Sequence, residues 1–195
     1  RSAPRLETGD GRPGRPRLAA LALGDLPRAR THLDAAWAAG ARDGALAWSR
    51  ARLYGRLFFE AQERDRLTRG RAQSSPETEA LRREAMAMLA AVGDAADRDA
   101  VEAEMALYGG RLDDGLAAVE RRLAARPASW SAHLTAARLH RAAAADADRR
   151  SDYAAATGEL GAARVAASAA VEIARSSPDG WLELCRAAFQ EAVAE

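Results

Sequence analysis

Apolar and polar residues follow one another along most of this chain with the three- and four-residue spacing of an amphipathic α-helix. No stretch rich in Val, Ile and Thr shows the two-residue alternation of a half-buried strand. Glycine and proline interrupt the helical pattern at short intervals, as they do at helix ends. We therefore predict an all-α protein with helices over residues 17–24, 26–39, 44–66, 76–92, 95–109, 112–125, 128–145, 152–176 and 178–194.

Part of this pattern occurs twice. Residues 26–54 align without gaps on residues 112–140, at an offset of 86 residues. The triplet Ala-Arg-Leu that starts at Ala51 recurs at Ala137. Internal similarity over such a distance indicates an array of helical repeats. Arrays of this kind bury a continuous core by stacking and present extended surfaces to partners.

The repeated unit resembles the tetratricopeptide repeat (TPR), in which about 34 residues form two antiparallel helices, A and B. Residues 96–129 carry the resemblance most fully: Ala103 is the small residue of helix A, Gly110 lies in the turn, Gly115 is the small residue of helix B, and Pro127 is the stop. The resemblance implies antiparallel helical hairpins stacked as a TPR-like α-solenoid. It also implies that alanines in one repeat phase are buried between helices, namely Ala51, Ala103, Ala137 and Ala188.

The amino-terminal residues differ from the rest of the chain. Residues 1–16 hold three prolines and three glycines among charged side chains. Such a segment cannot bury enough apolar surface to offset the entropy of ordering it. We therefore expect a flexible linker at 1–16 and a TPR-like helical repeat domain over 17–195.

Charge and composition narrow the class of partner. With 29 basic and 28 acidic residues the net charge is +1, so no whole-protein field attracts nucleic acid or an anionic membrane. No apolar run reaches 18 residues, and no membrane span is expected. The chain has neither lysine nor asparagine. The resemblance therefore does not extend to chaperone-tail-binding repeats, whose two-carboxylate clamp is built from Lys and Asn side chains.

No group of residues in the sequence indicates catalysis or metal binding. Cys185 is the single cysteine, which excludes an intramolecular disulfide and leaves the compartment open, cytoplasmic or periplasmic. Neither Cys185 nor any histidine stands in a nucleophile or base motif. His133 and His140 lie two helical turns apart, about 10 Å, whereas paired helical ligands need a spacing of three or four residues. We therefore predict no enzyme activity, no metal and no cofactor.

In the family that the repeat resembles, the A helices line a concave face that binds partners. Carried over to this chain, the resemblance gives a partner-binding set of Trp48, Arg52, Glu104, Leu134, Arg138 and Arg141. Trp48 and Leu134 would offer apolar contacts, while Arg52 and Arg138 would offer fork-shaped donors to carboxylates. The expected function is a non-enzymatic interaction module, an adaptor or assembly factor, for a protein or peptide partner with acidic residues.

Two alternatives remain open from the sequence. The arginines could instead pair with Glu104 and its neighbours and only solvate the groove. The chain could also be a structural or regulatory helical segment of a larger protein, packing on a neighbouring effector domain. In the last predicted helix, the repeat phase places Leu182, Cys185 and Phe189 on the concave face.

Overall fold

All secondary structure in the described part of the chain is helical. The computed structural model of the protein describes residues 21, 24–69, 74–95 and 97–194. These residues form, besides a 3₁₀ turn at Gly93–Ala95, the helices α1 (Leu26–Ala38), α2 (Gly44–Arg69), α3 (Pro76–Ala90), α4 (Arg98–Gly109), α5 (Leu112–Ala125), α6 (Trp130–Arg149), α7 (Tyr153–Ile173) and α8 (Pro178–Ala194).

The all-α prediction is therefore confirmed, and the ends of these helices fall within four residues of the predicted ends. The predicted linker at 1–16 lies outside the described residues. Most of the predicted helix at 17–24 lies outside them as well. Among the residues that the structure does describe, no helix combines the length and the apolar character needed to cross a bilayer.

Local side-chain chemistry fixes several helix ends. Ser75 accepts a hydrogen bond from the Thr78 amide at 3.2 Å, and Pro76 occupies the first turn of α3. Asp152 caps α7 in the same way through the Ala155 amide. Gly110 ends α4 with a φ of +71°, a left-handed conformation that costs glycine little. These caps satisfy backbone groups that a helix end would otherwise leave unpaired.

The helices pack mainly against their neighbours in sequence. Each helix from α1 to α8 contacts the next one, and α6 also contacts both α4 and α8. Three rings join α2 to α4: Phe58, Phe59 and Tyr108 lie with centroids 5.1 to 6.0 Å apart. The four even-numbered helices thus lie on a common side, and we call α2, α4, α6 and α8 the inner helices.

Small residues allow these helices to approach closely. Ala51, Ala103 and Ala137 are essentially inaccessible to solvent, so the prediction of buried alanines is confirmed at these three positions. The prediction is wrong for Ala188, which is exposed, while its neighbour Ala187 is fully buried. The repeat phase thus holds from α2 to α6 and shifts by one residue in α8.

The shifted phase gives α8 an unusual distribution of side chains. Cys185 is exposed, Phe189 is 68% exposed and Leu182 45%, so the prediction that these three face inward is wrong. Instead Glu183, only 2% exposed, faces α6. The physical reason is that α6 presents two arginines to α8, and a buried guanidinium group requires an anionic or polar partner.

Candidate functional site

A cavity of about 1070 Å³ opens between the inner helices. We call it the inner cavity. Aromatic side chains of α2 and α4 form one part of its wall, and arginines of α6 and α8 form another. The residues that line it include Phe59, Tyr108, Arg138, Arg141, Glu183, Arg186 and Gln190.

Three arginines of the cavity wall surround the buried carboxylate of Glu183. Arg141 donates from Nη1 to Glu183 Oε1 and from Nε to Gln190 Oε1, the latter at 2.8 Å. Arg138 Nε lies 3.7 Å from Glu183 Oε2, and Arg186 Nη1 lies 4.0 Å from the same oxygen. The carboxylate thus holds one hydrogen-bonded arginine and two looser ion pairs.

Of these three arginines, Arg138 has the least exposed side chain, and it still lines part of the inner cavity. Its side chain is 17% exposed, and its guanidinium carbon lies 6.0 Å from the centroid of Phe59. Burial lowers the pKa of Arg138, but nearby negative charges, Glu183 first and then Glu104, together raise it by more, and the net pKa lies above the ordinary value. Arg138 therefore keeps its charge inside the fold.

A second buried carboxylate lies between α4 and α6. Tyr108 Oη donates to Glu104 Oε2 at 2.6 Å, and Thr135 Oγ1 donates to Oε1 at 3.3 Å. Burial of the phenol, followed by the charge and hydrogen bond of Glu104, raises the pKa of Tyr108 well above its ordinary value. Tyr108 is therefore a neutral donor that holds Glu104 within the helix packing.

A third ion pair joins α2 to the start of α8. Arg56 Nη2 lies 3.0 Å from Asp179 Oδ1, with both side chains largely buried. Arg56 also donates to the carbonyl of Leu21 at 3.0 Å. Burial lowers the pKa of Arg56, an effect that Asp179 partly offsets. This contact brings the first and last inner helices together one helical turn from Phe59.

The structure brings together only part of the partner-binding set predicted from the sequence. Arg138 and Arg141 line the inner cavity, whereas Trp48, Arg52 and Leu134 do not. Leu134 is 3% exposed and Glu104 8%, so neither presents a surface for a partner. Trp48 is half-buried against the core, and Arg52 is half-buried beside Arg56. The predicted pairing of arginines with acidic neighbours occurs, but its main acceptor is Glu183.

Sequence reasoning missed the polar residues that α8 contributes. Glu183, Arg186 and Gln190 recur at spacings of three and four, which places them on one helix face. This polar stripe could have identified the buried face of α8, but the apolar stripe of the same helix was interpreted as that face. Arg138 and Arg141, three residues apart on α6, are the matching stripe across the interface.

One other buried arginine has a purely structural environment. Arg50 donates to Asp34 at 2.9 Å, to Glu84 at 3.0 Å and to the sulfur of Met88 at 3.1 Å. Its guanidinium carbon also lies 4.8 Å from the ring centroid of Trp37. These contacts join α1, α2 and α3, and they leave Arg50 little capacity to bind a further group.

The exposed face of α8 is apolar. Trp181, Leu182, Phe189 and Val193 are large hydrophobic residues with substantial exposure. Phe189 and Val193 also line a smaller cavity of about 330 Å³ between α6, α7 and α8. The helix therefore turns charged groups toward the other helices and apolar groups toward solvent, the reverse of the usual surface helix.

Comparison with known proteins gives no relative from which a function could be inferred. No family model, curated protein or solved structure matches the chain significantly. Within the described ranges, no group of three or more His, Cys, Asp or Glu side chains is arranged to hold a metal ion.

Proposed function

We propose that this chain is a non-enzymatic protein-interaction module, an adaptor or assembly factor, which binds a segment of a partner protein in the inner cavity. In this proposal the helical hairpins stack as a TPR-like solenoid, and the inner helices correspond to the A helices of that family. The observation that carries the proposal is the cavity itself, whose wall combines an aromatic surface with arginines held on packed helices.

The size and the chemistry of the cavity suit a polypeptide segment. A cavity of about 1070 Å³ is at the upper end of the range for small-molecule sites, so it can receive several side chains of an extended chain. Phe59 offers apolar contact and Arg186 offers donors that are one-third exposed. Aromatic and arginine side chains are also the residue types that contribute most to binding at protein interfaces.

A capture experiment tests this function. The parent chain and the Arg186→Glu variant are used as baits in extracts of the source cells, and bound proteins are identified by mass spectrometry. Arg121→Glu is the control, because Arg121 carries the same charge on α5 and, within the described residues, pairs with Asp99 and Glu102 outside the inner cavity. We expect partners that bind the parent and the control but not Arg186→Glu. Identical partners on all three baits would contradict binding in the inner cavity.

A second candidate function rests on a different surface. The apolar stripe of α8 favours a regulatory helical segment that packs on an effector domain, since large exposed apolar patches commonly mark interaction sites. The Phe189→Ser variant separates the two candidates in the same experiment. Loss of partners with Phe189→Ser but not with Arg186→Glu would favour the second function over the first.

A further inference from the structure

We propose that the apolar stripe of α8 is a self-association surface, on which α8 of a second copy of this chain packs antiparallel to form a symmetric dimer. This surface is distinct from the inner cavity. The α8 residues that line the inner cavity are Glu183, Arg186 and Gln190, and none of them belongs to the stripe.

The exposed side of α8 is uncharged. Among the α8 side chains that the structure describes, eight are exposed, and none of these eight is an acidic or basic residue. The large ones are Trp181, Leu182, Phe189 and Val193, and the small ones between them include Cys185 and Ala188.

The acidic residues of α8 instead pair with arginines of the same chain. Asp179 lies 3.0 Å from Arg56, Glu183 pairs with Arg141, and Glu191 lies 2.7 Å from Arg164. A charged partner surface would therefore lose its water on the stripe without gaining an ion pair, which is unfavourable. An occupant that is itself uncharged fits the stripe better.

The spacing of the stripe indicates that the occupant is a helix. Trp181 and Ala188 lie seven residues apart, and so do Leu182 and Phe189. A seven-residue repeat of apolar positions is the pattern by which one helix packs along another. Cys185 and Ala188 are small and allow the axis of a second helix to come close.

A second α8 matches this pattern. Cys185 lies at the middle of the stripe, three residues from both Leu182 and Ala188 and four from both Trp181 and Phe189. In an antiparallel pair centred there, Leu182 of one copy lies level with Ala188 of the other, so that a large side chain meets a small one. Trp181 lies level with Phe189, within reach for an aromatic contact. The antiparallel direction also places opposite ends of the two helix dipoles together.

The stripe is large enough for such a dimer. Trp181 and Leu182 are 49% and 45% exposed, and Phe189 and Val193 are 68% and 71% exposed. Since an aromatic side chain has about 150–250 Å² of surface, these four residues and the small ones between them expose roughly 500 Å². Two copies together would bury about 1,000 Å², the lower limit for a specific interface. We therefore expect a reversible dimer with a Kd in the micromolar range.

Sedimentation equilibrium of the full chain, from about 1 to 500 µM, tests the dimer. Ala188→Glu should raise the Kd of the dimer at least about tenfold, because it places a carboxylate from each copy inside an uncharged interface. Ala117→Glu is the control, because it makes the same substitution at an exposed position of α5. This control should leave the Kd unchanged.

Crosslinking gives a second measurement. Cys185 is the single cysteine of the chain and is exposed, so a bis-maleimide can join two copies only through this position. We expect a covalent dimer from the parent chain. A Cys185→Ser variant that carries Glu120→Cys on the exposed side of α5 should give none.

Each other outcome overturns the dimer. A parent chain that stays monomeric over the whole concentration range would do so, as would an equal effect of Ala188→Glu and Ala117→Glu. Covalent dimers that form equally well from position 120 would show random collision. If the parent is monomeric and a different protein is captured by it but not by Phe189→Ser, the stripe binds that protein instead. None of these results bears on the inner cavity, which the capture experiment with Arg186→Glu tests separately. Circular dichroism of each variant verifies that it is folded.

Discussion

The phenol of Tyr108, on α4, packs directly on the backbone of Gly55, on α2. A β carbon placed on Gly55 would lie 2.5 Å from Cζ of Tyr108 and closer still to its hydroxyl oxygen. The same hydroxyl donates to Glu104. One glycine thus allows the tyrosine to reach the buried carboxylate beside the inner cavity.

The first prediction follows from this contact. Gly55→Ala should displace Tyr108 and lower the free energy of unfolding by about 1–3 kcal/mol, the usual cost of overpacking. The control is Gly158→Ala on α7, where an added β carbon meets no atom within 4 Å. That variant should be more stable than the parent, because alanine favours helix by up to about 1 kcal/mol. Thermal unfolding measures both, and a Gly55→Ala variant as stable as the parent would contradict the packing.

The second prediction tests the phase of the inner helices. Ala137→Leu inserts a larger side chain at a fully buried contact and should cost about 1–3 kcal/mol. Ala188→Leu makes the same change on the exposed side of α8 and should alter stability by less than about 0.5 kcal/mol. Chemical denaturation of the two variants checks the phase. If Ala188→Leu proved the more damaging substitution, α8 would be rotated relative to the structure.

The third prediction concerns the ion cluster of α1, α2 and α3. Arg50→Met should lower the free energy of unfolding by about 2 kcal/mol. Removing one partner of a fully buried ion pair costs more, but here Asp34 and Glu84 remain one-third exposed. Arg30→Met removes a half-exposed arginine from the same Asp34 and should cost less than about 0.5 kcal/mol. Urea titrations measure the difference. Equal effects of the two substitutions would show that Arg50 does not join the three helices.

The fourth prediction concerns stability at alkaline pH. Burial and the neighbouring Glu104 raise the pKa of Tyr108 well above its unfolded value near 10, so the unfolded chain loses this proton first. The stabilisation is complete below about pH 10 and declines as pH rises toward the folded pKa. Tyr108→Phe should therefore be less stable than the parent at neutral pH and lose less stability between about pH 9 and 12. If both proteins lost the same stability as the pH rises, a group other than Tyr108 would be responsible for the loss.

Local sequence signals were sufficient to predict the helices and several of the positions at which they contact one another. Ser75 with Pro76 and the glycine at 110 mark helix ends through chemistry that acts within a few residues. Ala51 and Ala137 share a phase because the two repeat copies align without gaps. Features of this kind depend on neighbours in sequence, so the sequence alone could reveal them.

Which face of α8 is buried could not be predicted from local sequence signals. The apolar stripe that includes Leu182 and Phe189 has the spacing of a buried helix face, yet the structure buries Glu183 instead. The deciding interaction comes from Arg138 and Arg141, more than 40 residues earlier in the chain. A pattern confined to one helix does not contain the charge of the surface on which that helix packs.

The most direct test of the account is site-specific photo-crosslinking from the inner cavity in the source cells. Three variants each carry one photoreactive amino acid. In the first it replaces Gln62, which lines the cavity. In the other two it replaces Glu120 or Phe189, which are exposed on α5 and α8. We predict that a partner protein other than a second copy of this chain is crosslinked from position 62 and not from position 120 or 189, and that Arg186→Glu abolishes this crosslink. Crosslinking of such a partner from position 120 or 189 with none from position 62 would contradict the inner cavity as the binding site.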